Sequence, residues 1–258
     1  MNIGFAINYA TKILREKLIQ TSSLDSEILM AKTLNKDRKY IILNPKKDLN
    51  KLSIKKFKKL IVERSKGKPI AHLINKKSFW KSEFYVTNET LIPRPDTEII
   101  IDNVLRLTKN KNKLKILDIG IGSGCILLSI LKEKKNFYGT GIDISKKCIN
   151  ISKLNAINLN LDNRLKLYKS DVDKFNLGKY DLIVSNPPYI NNYKLKYLDK
   201  DVFDYEPKLA LNGGLDGLSE IRKVIKKSSE LIKKNGKFIL EIGLDQKNKI
   251  LGERSCYV

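Results

Sequence analysis

Apolar side chains recur every three to four residues in the first part of the chain. This spacing predicts amphipathic helices at Ile3 to Ile19, Leu24 to Leu34 and Ile54 to Val62. The apolar and aromatic run from Ile70 to Val86 instead predicts a β-hairpin, in which His72 is interpreted as a hairpin or packing residue. The chain is therefore predicted to begin with a small helical domain that leads into a β-ribbon.

Beyond the hairpin, short apolar runs alternate with segments of helical spacing, which is typical of an α/β fold with a parallel sheet. Strands are predicted from Lys115 and at Phe137–Ile142, Leu165–Lys169, Tyr180–Ser185 and Lys237–Gly243. We expect a helical domain at residues 1–69, a hairpin linker at 70–93 and an α/β domain at 94–258. Because only Leu244 to Val258 follow the fifth run, the last strands of such a sheet are expected to be truncated.

The segment Asn186-Pro187-Pro188-Tyr189 directly follows the fourth predicted strand. Proline fixes φ and has no N–H, so two in succession hold the chain extended with carbonyl oxygens as its main polar groups. The Asn186 side-chain oxygen and the Pro187 carbonyl can each accept one N–H of a planar NH2 group, and Tyr189 offers a ring face. The pattern favours methyl transfer to nitrogen, with an ordinary strand exit as the alternative.

A glycine-rich turn follows the first predicted strand, in the pattern Asp118-x-Gly120-x-Gly122-x-Gly124. Glycines let the backbone approach a ligand closely, and the start of the next helix presents free N–H groups. Cys125 stands where the dinucleotide fingerprint requires a glycine. The turn therefore favours a ligand without a pyrophosphate, and Asp118 can compensate for a cationic end such as that of S-adenosylmethionine.

Two more acidic residues stand at the ends of predicted strands, where open α/β sheets bind ligands. Asp143 lies at about the position from which a carboxylate accepts hydrogen bonds from ribose hydroxyls. Asp171 is placed to accept from an adenine amine, with Val172 packed beside the base. Capping of a helix or turn by these aspartates is the alternative.

Together with the turn and Asn186 to Tyr189, two further segments resemble the release factor glutamine methyltransferase family. They are Leu91 to Glu98 (LIPRPDTE) and Glu206 to Leu211 (EPKLAL). The resemblance extends over most of the chain, from Leu24 to Gln246. Adenine amino-methyltransferases of DNA and RNA share Asn-Pro-Pro-Tyr, so Leu91 to Glu98 is the more discriminating segment.

The resemblance implies a Rossmann-like class I methyltransferase domain, a helical N-terminal domain for substrate recognition, and S-adenosylmethionine as methyl donor. It implies that the substrate is the glutamine of the Gly-Gly-Gln loop in class I peptide release factors, methylated on its amide nitrogen, N5. Catalysis and glutamine binding would fall to Asn186, Pro187, Pro188 and Tyr189. Contacts with the cofactor would come from Gly120, Ile121, Gly122, Ser123, Gly124, Asp143, Val172 and Asn186. Arg94 and Glu98 would orient the substrate or lock the domains together.

The amino-acid composition limits the classes of protein and the kinds of site that the chain can contain. The chain has 258 residues, of which 41% are hydrophobic and 31% charged, so it can bury a sizeable core. It shows neither a leader pattern nor a membrane-length apolar run, and a cytoplasmic location is expected. Three distant cysteines and one histidine argue against a disulfide framework, a metal site and Cys-His catalysis. The net charge of +23 comes mainly from dispersed lysines and is interpreted as solvated surface.

Three classes of function are compatible with these patterns. The leading hypothesis is a monomeric protein glutamine methyltransferase that needs no metal and no direct binding of nucleic acid. The alternative is an adenine amino-methyltransferase of DNA or RNA, motivated by Asn186 to Tyr189 and the basic charge. A non-catalytic cofactor-binding protein is the third, motivated by the short C-terminal part.

Overall fold

The computed structural model describes residues 1–253 and divides into two compact units. The first unit comprises Met1–Asn75 together with Asp199–Tyr205, and the second comprises Lys76–Leu198 and the chain from Glu206 onward. Within the described residues, no helix combines the length and the apolar character needed to cross a membrane.

The first unit is helical. Side chains cap three of its helices, because Asn2, Asp37 and Asn50 each accept a hydrogen bond from a backbone N–H in the first turn. Apolar helix faces meet in one core that includes the fully buried Leu14 and Met30. The helices of this segment are α1 (Ile3–Glu16), α2 (Ser22–Leu34), α3 (Arg38–Leu43), α4 (Lys51–Ser65) and α5 (Ile70–Ile74). The three helices predicted here are confirmed as α1, α2 and α4, whereas α3 was not predicted.

The hairpin predicted from Ile70 is wrong at its start, because Ile70–Ile74 forms α5. Pro69 precedes this helix, and Asn75 ends it in the left-handed conformation with φ 57°. His72 is buried within α5 and is therefore not a hairpin residue. Short apolar runs fit one helical turn and a strand equally well by periodicity, so the run from Ile70 to Val86 concealed the boundary between them.

The second unit opens with a β-hairpin and continues with alternating helices and strands. The elements from Lys76 onward are β1 (Lys76–Phe79), β2 (Ser82–Tyr85), α6 (Glu98–Leu107), β3 (Lys115–Ile119), α7 (Cys125–Glu133), β4 (Tyr138–Asp143), α8 (Lys146–Asn158), β5 (Leu165–Lys169), β6 (Tyr180–Ser185), α9 (Lys200–Tyr205), α10 (Ser219–Leu231), β7 (Ile232–Leu240) and α11 (Lys247–Glu253). Of these, α9 clusters with the first unit. Short 3-10 helices lie at Pro95–Thr97, Asp162–Arg164, Val172–Lys174, Leu195–Tyr197, Lys208–Ala210 and Leu244–Gln246.

A five-stranded parallel sheet in the order β5-β4-β3-β6-β7 forms the centre of the described part of the second unit. Strands β3 and β6 are almost continuously buried, as expected for inner strands of a parallel sheet. The chain steps from β3 outward to β4 and β5, and then returns to β6 on the other side of β3. The carboxyl ends of β3 and β6 therefore flank the topological switch point, where sheets of this type bind ligands.

The predicted α/β, Rossmann-like class is confirmed, and the last strand differs from its prediction in its bounds. Strand β7 begins at Ile232, directly after α10, rather than at Lys237, and it ends at Leu240 rather than at Gly243. The pairing of β7 with β6 is irregular between Tyr180 and Leu182, which lets the early residues of β7 join the sheet.

Candidate active site

The glycine-rich turn leaves β3 at the switch point. Gly120, Gly122 and Gly124 all have positive φ, at 77°, 56° and 82°, a conformation that residues with a side chain rarely adopt. A Cβ atom on Gly120 would meet nothing within 4 Å, and one on Gly122 would only reach the Gly120 carbonyl. The turn thus leaves open space beside the backbone of Gly120 and Gly122 at the place where the sheet order reverses.

Hydrogen bonds to the Ile142 carbonyl and to the Asp143 carboxylate connect this turn to the end of β4. The Ile142 carbonyl accepts from the N–H groups of Gly120 and Ile121, each at 2.9 Å. Asp143 accepts from the Gly122 N–H at 2.9 Å and from the Ser145 N–H at 2.8 Å. Burial raises the pKa of Asp143, and these two N–H groups oppose the rise. Asp143 therefore shapes the turn, which sequence reasoning did not foresee.

Two side chains of α8 hold the other side of the turn. Ser152 donates to the Gly122 carbonyl at 2.7 Å, and Asn155 donates to the Ser123 carbonyl at 2.8 Å. Asn155 also exchanges hydrogen bonds with both backbone groups of Tyr85 in β2. These residues were missed because the sequence shows no local motif around them. Ser123 and Ile121 are buried, and the Ile121 side chain packs onto Gly141 of β4.

Asp118 in β3 is an unpartnered buried carboxylate. It is 1% exposed, and neither of its oxygens has a hydrogen-bond partner of ordinary geometry among the described residues. Burial raises the pKa of Asp118 to about 7, an effect that the nearby Leu127 N–H only partly offsets. Burying a charge without a partner is costly, so this carboxylate fits a site that a cation completes.

Asn186 stands at the carboxyl end of β6, next to the glycine-rich turn. Ile119, the last residue of β3, pairs with Ser185, whose hydroxyl donates to the Ile119 carbonyl at 2.7 Å. The Asn186 Nδ2 donates to Thr97 Oγ1 at 3.2 Å. In the described part of the chain, no donor is bonded to Asn186 Oδ1 or to the Pro187 carbonyl. Both of the acceptors predicted from the sequence are therefore unused by the protein itself.

The other three residues of the tetrapeptide, Pro187 to Tyr189, are at least partly buried, and Tyr189 is fixed by hydrogen bonds. Pro187 is buried, whereas Pro188 and Tyr189 are half-buried. The Tyr189 carbonyl accepts from Gln246 Nε2 at 2.9 Å, and the Tyr189 hydroxyl donates to Glu241 Oε1 at 3.3 Å. Burial and the neighbouring Glu241 carboxylate raise the pKa of Tyr189, so it is a neutral phenol at ordinary pH.

Asp171 and Val172 follow β5, at the edge of the sheet and two strands away from β3. Asp171 accepts from the Asp173 N–H at 2.9 Å and caps the 3-10 helix Val172–Lys174. Val172 packs partly buried against the core that contains Phe175. The structure thus brings Asp118, the turn, Asp143 and Asn186 onto three adjacent strands and leaves Asp171 and Val172 on the outer one.

Arg94 and Glu98 make contacts inside the second unit. Glu98 accepts from the Trp80 N–H at 2.6 Å and so fixes the turn of the hairpin, where Trp80 has φ 51°. Arg94 donates to Glu206 Oε1 at 2.5 Å, and the other oxygen of Glu206 accepts from the Ile92 N–H at 3.0 Å. Glu206 is only 5% exposed, so this pair ties the Leu91 to Glu98 segment to the Glu206 to Leu211 segment.

The fold and the switch-point site define the class: a class I methyltransferase that uses S-adenosylmethionine. The residues fit that cofactor, since glycine backbone with open space beside it adjoins a buried carboxyl group that has no hydrogen-bond partner of ordinary geometry among the described residues. Burial raises the pKa of the Cys125 thiol at the start of α7 to about 12, which disfavours the reactive thiolate.

Comparison with known proteins identifies the family. The model of the PrmC N-terminal domain matches residues 6–74, and that of the methyltransferase small domain matches residues 97–204. Three curated release factor glutamine methyltransferases are similar over most of their length. That of Clostridium acetobutylicum is 38% identical and that of Buchnera aphidicola subsp. Schizaphis graminum 39%, each over 97% of this chain and 89% of the relative. That of Caulobacter vibrioides is 34% identical over 92% of this chain and 82% of the relative. The chain belongs to the release factor glutamine methyltransferase family.

Proposed function

We propose that this protein methylates the amide nitrogen, N5, of the glutamine in the Gly-Gly-Gln loop of class I peptide release factors. The similar proteins carry release factor glutamine methyltransferase as their name, which supports this substrate. The observation that carries the proposal is the pair of unused acceptors at the end of β6, Asn186 Oδ1 and the Pro187 carbonyl. Two acceptors match the two N–H bonds of a primary amide.

S-adenosylmethionine supplies an activated methyl group when it is bound. We assign its binding to the turn from Gly120 to Gly124, with Asp143 for the ribose and Asp171 and Val172 for the adenine. Asp118 is assigned to the cationic end, because its carboxyl group is buried and has no hydrogen-bond partner of ordinary geometry within residues 1–253. The chain itself thus provides glycine backbone at the switch point, the buried Asp118 carboxyl group and two further carboxylates.

The substrate amide is a weak nucleophile, because its lone pair is delocalised into its carbonyl. Asn186 and Pro187 would accept its two N–H bonds and direct the lone pair away from themselves. Holding reactants in one orientation can lower a barrier by roughly 7 to 11 kcal/mol. The same two acceptors would stabilise positive charge that develops on the nitrogen, and Pro188 and Tyr189 would enclose the planar group.

We also propose that the helical part that ends at Asn75 contributes recognition of the release factor, while the second unit, which begins at Lys76, carries the chemistry. The match of the PrmC N-terminal domain to residues 6–74 supports a distinct role for this part. The proposal includes a monomeric enzyme located in the cytoplasm, where translation termination takes place.

The test is transfer of a labelled methyl group from S-adenosylmethionine to a purified cognate release factor. A release factor with alanine in place of the Gly-Gly-Gln glutamine is the matched control. Label on the intact factor alone is the expected result. Label on DNA or RNA oligonucleotides, with none on the factor, would instead establish the adenine methyltransferase alternative.

A further inference from the structure

A second carboxylate, Glu241, lies beside the Asn186 side chain. Glu241 follows β7 directly, and its backbone N–H donates to the Ser185 carbonyl at 3.0 Å. Glu241, just after β7, therefore lies beside Asn186, which directly follows the neighbouring strand β6. One oxygen of Glu241 accepts from the Tyr189 hydroxyl at 3.3 Å, and the other is buried without a hydrogen-bond partner of ordinary geometry in the described chain.

The polar groups around this carboxylate converge on it. Burial, the largest influence, raises the pKa of Glu241, and the nearby Asp96 adds to the rise. The side chains of Thr97, Tyr189 and Asn186, which face Glu241, offset it only in part. Thr97 is 2% exposed and already accepts from Asn186 Nδ2 at 3.2 Å. A hydroxyl can accept one hydrogen bond and donate another, so Thr97 can link the Asn186 amide to the Glu241 carboxylate.

We propose that Glu241 is a positioning residue that acts through Asn186, with Thr97 as its partner. The proposal rests on the function proposed above. An asparagine amide has nearly the same shape in its two flipped orientations, and only one of them presents Oδ1 to the substrate. A carboxylate accepts hydrogen bonds and donates none, so Glu241 and Thr97 favour the orientation in which the NH2 group of Asn186 faces the protein.

In the flipped orientation of the Asn186 amide, two hydrogen-bond donors would face each other. The Asn186 NH2 would then meet the NH2 group of the substrate glutamine, and the acceptor pair with the Pro187 carbonyl would be lost. The glycine-rich turn is untouched by such a flip, because Glu241 and Thr97 make no hydrogen bond to it among the described residues. Loss of the positioning group should therefore slow turnover and leave cofactor binding intact.

The first experiment compares Glu241→Gln and Thr97→Val with the unchanged protein. Each substitution nearly preserves shape: Glu241→Gln replaces an acceptor-only carboxylate with an amide that can also donate, and Thr97→Val removes the hydroxyl that accepts from Asn186. We expect kcat for methylation of the release factor to fall about 10- to 100-fold, as for a misplaced reacting group. The dissociation constant of S-adenosylmethionine, measured by calorimetry, should stay nearly constant.

Two variants serve as matched controls. Thr108→Val removes another buried threonine hydroxyl, which donates to the Val104 carbonyl at 2.7 Å in α6. Glu230→Gln neutralises a carboxylate on α10 that pairs with Lys227 away from Asn186. Both should keep kcat close to that of the unchanged protein. Circular dichroism establishes folding, and if Glu241→Gln does not fold, Thr97→Val carries the test alone.

The decisive measurement repeats both substitutions in an Asn186→Ala background. If Glu241 and Thr97 act through Asn186, neither change lowers kcat further once the Asn186 amide is absent. Losses that multiply with that of Asn186→Ala would overturn the positioning role, as would full activity of both single variants. If the unchanged protein methylates oligonucleotides rather than the release factor, the proposed function fails, while the same cycle tests the positioning role on that adenine substrate.

Discussion

Asp118 is the residue whose burial has the clearest thermodynamic consequence. Its pKa is about 7 in the folded protein, against an ordinary value of 3.8, because burial penalises the charged form. The folded state therefore holds a proton more tightly than the unfolded state. Between these two values the stability contributed by this group falls as pH rises.

Asp118→Asn should therefore stabilise the cofactor-free protein at pH 8 and have little effect near pH 4. A pKa difference of this size corresponds to an upper bound of about 4 kcal/mol. Urea denaturation of both proteins across this range measures the difference, and calorimetry should show weaker binding of S-adenosylmethionine by the variant at pH 8. A constant offset in stability at every pH would contradict this account of Asp118.

Asn186→Ala should lower kcat by about 100-fold or more, by analogy with removal of one preorganised transition-state hydrogen bond. Its effect on the affinity for S-adenosylmethionine should be much smaller, because the glycine-rich turn keeps its own hydrogen bonds. Asn103→Ala on α6 is the control, since in the part of the chain that the structure describes Asn103 forms hydrogen bonds only with groups of its own helix. Equal losses of turnover and affinity would mean that Asn186 chiefly binds cofactor.

Individual residues also show where sequence reasoning succeeds and where it stops. Asp118 and Asn186 were chosen as candidates from the sequence because each lies in a short motif at a strand end, and the structure places both beside the switch point. Thr97 and Glu241 were not identified as partners of Asn186, because Thr97 is 89 residues away from it along the chain. Only the adjacency of β6 and β7 brings Glu241 to the site. No local pattern records such a contact.

At the scale of elements, small residues let β4 fit closely between its neighbours. A Cβ atom on Gly141 would come within 2.2 Å of the Ile121 side chain, and one on Gly139 within 2.9 Å of the Leu127 side chain. Ile121 belongs to the glycine-rich turn, whereas Leu127 lies in α7. The two glycines therefore make a matched pair for separating turn geometry from packing.

Gly141→Ala and Gly139→Ala should each destabilise the fold by about 1–3 kcal/mol through overpacking. Only Gly141→Ala should also weaken binding of S-adenosylmethionine, because it displaces Ile121 and with it the turn. Urea denaturation gives the first quantity and calorimetry the second. Equal affinities in the two variants would show that the turn tolerates movement of Ile121.

Elements were predicted well where strand and helix have distinct lengths and poorly where a short helix adjoins a strand. The bounds of β5 agree with the prediction, because this strand is flanked by polar residues. Helix α5 was merged with the following hairpin, since five apolar-rich residues carry no helical period. The early start of β7 was hidden because Lys233 and Lys234 do not look like strand residues.

At the scale of the whole molecule, each of the two units has its own apolar core. The first unit also contains a buried ion pair, in which Arg64 donates to Asp25 at 2.7 Å with side chains 12% and 4% exposed. Arg64 further donates to the carbonyls of Gly67 and Lys68, so it joins α2 to α4 and to the segment that leads into α5. Every residue assigned to the cofactor lies in the second unit.

Asp25→Asn should therefore destabilise the helical unit and leave cofactor binding unchanged. Breaking a buried pair leaves an uncompensated charge and costs about 3–5 kcal/mol. Glu27→Gln, which breaks the more exposed pair with Arg38, is the control and should cost less than about 1 kcal/mol. Thermal unfolding with and without S-adenosylmethionine distinguishes the units, because a ligand at 100 times its dissociation constant stabilises the unit that binds it by about 2.7 kcal/mol. If Asp25→Asn reduced affinity for the cofactor as strongly as it reduced stability, the cofactor site would depend on the helical unit, contrary to the assignment of all its residues to the other one.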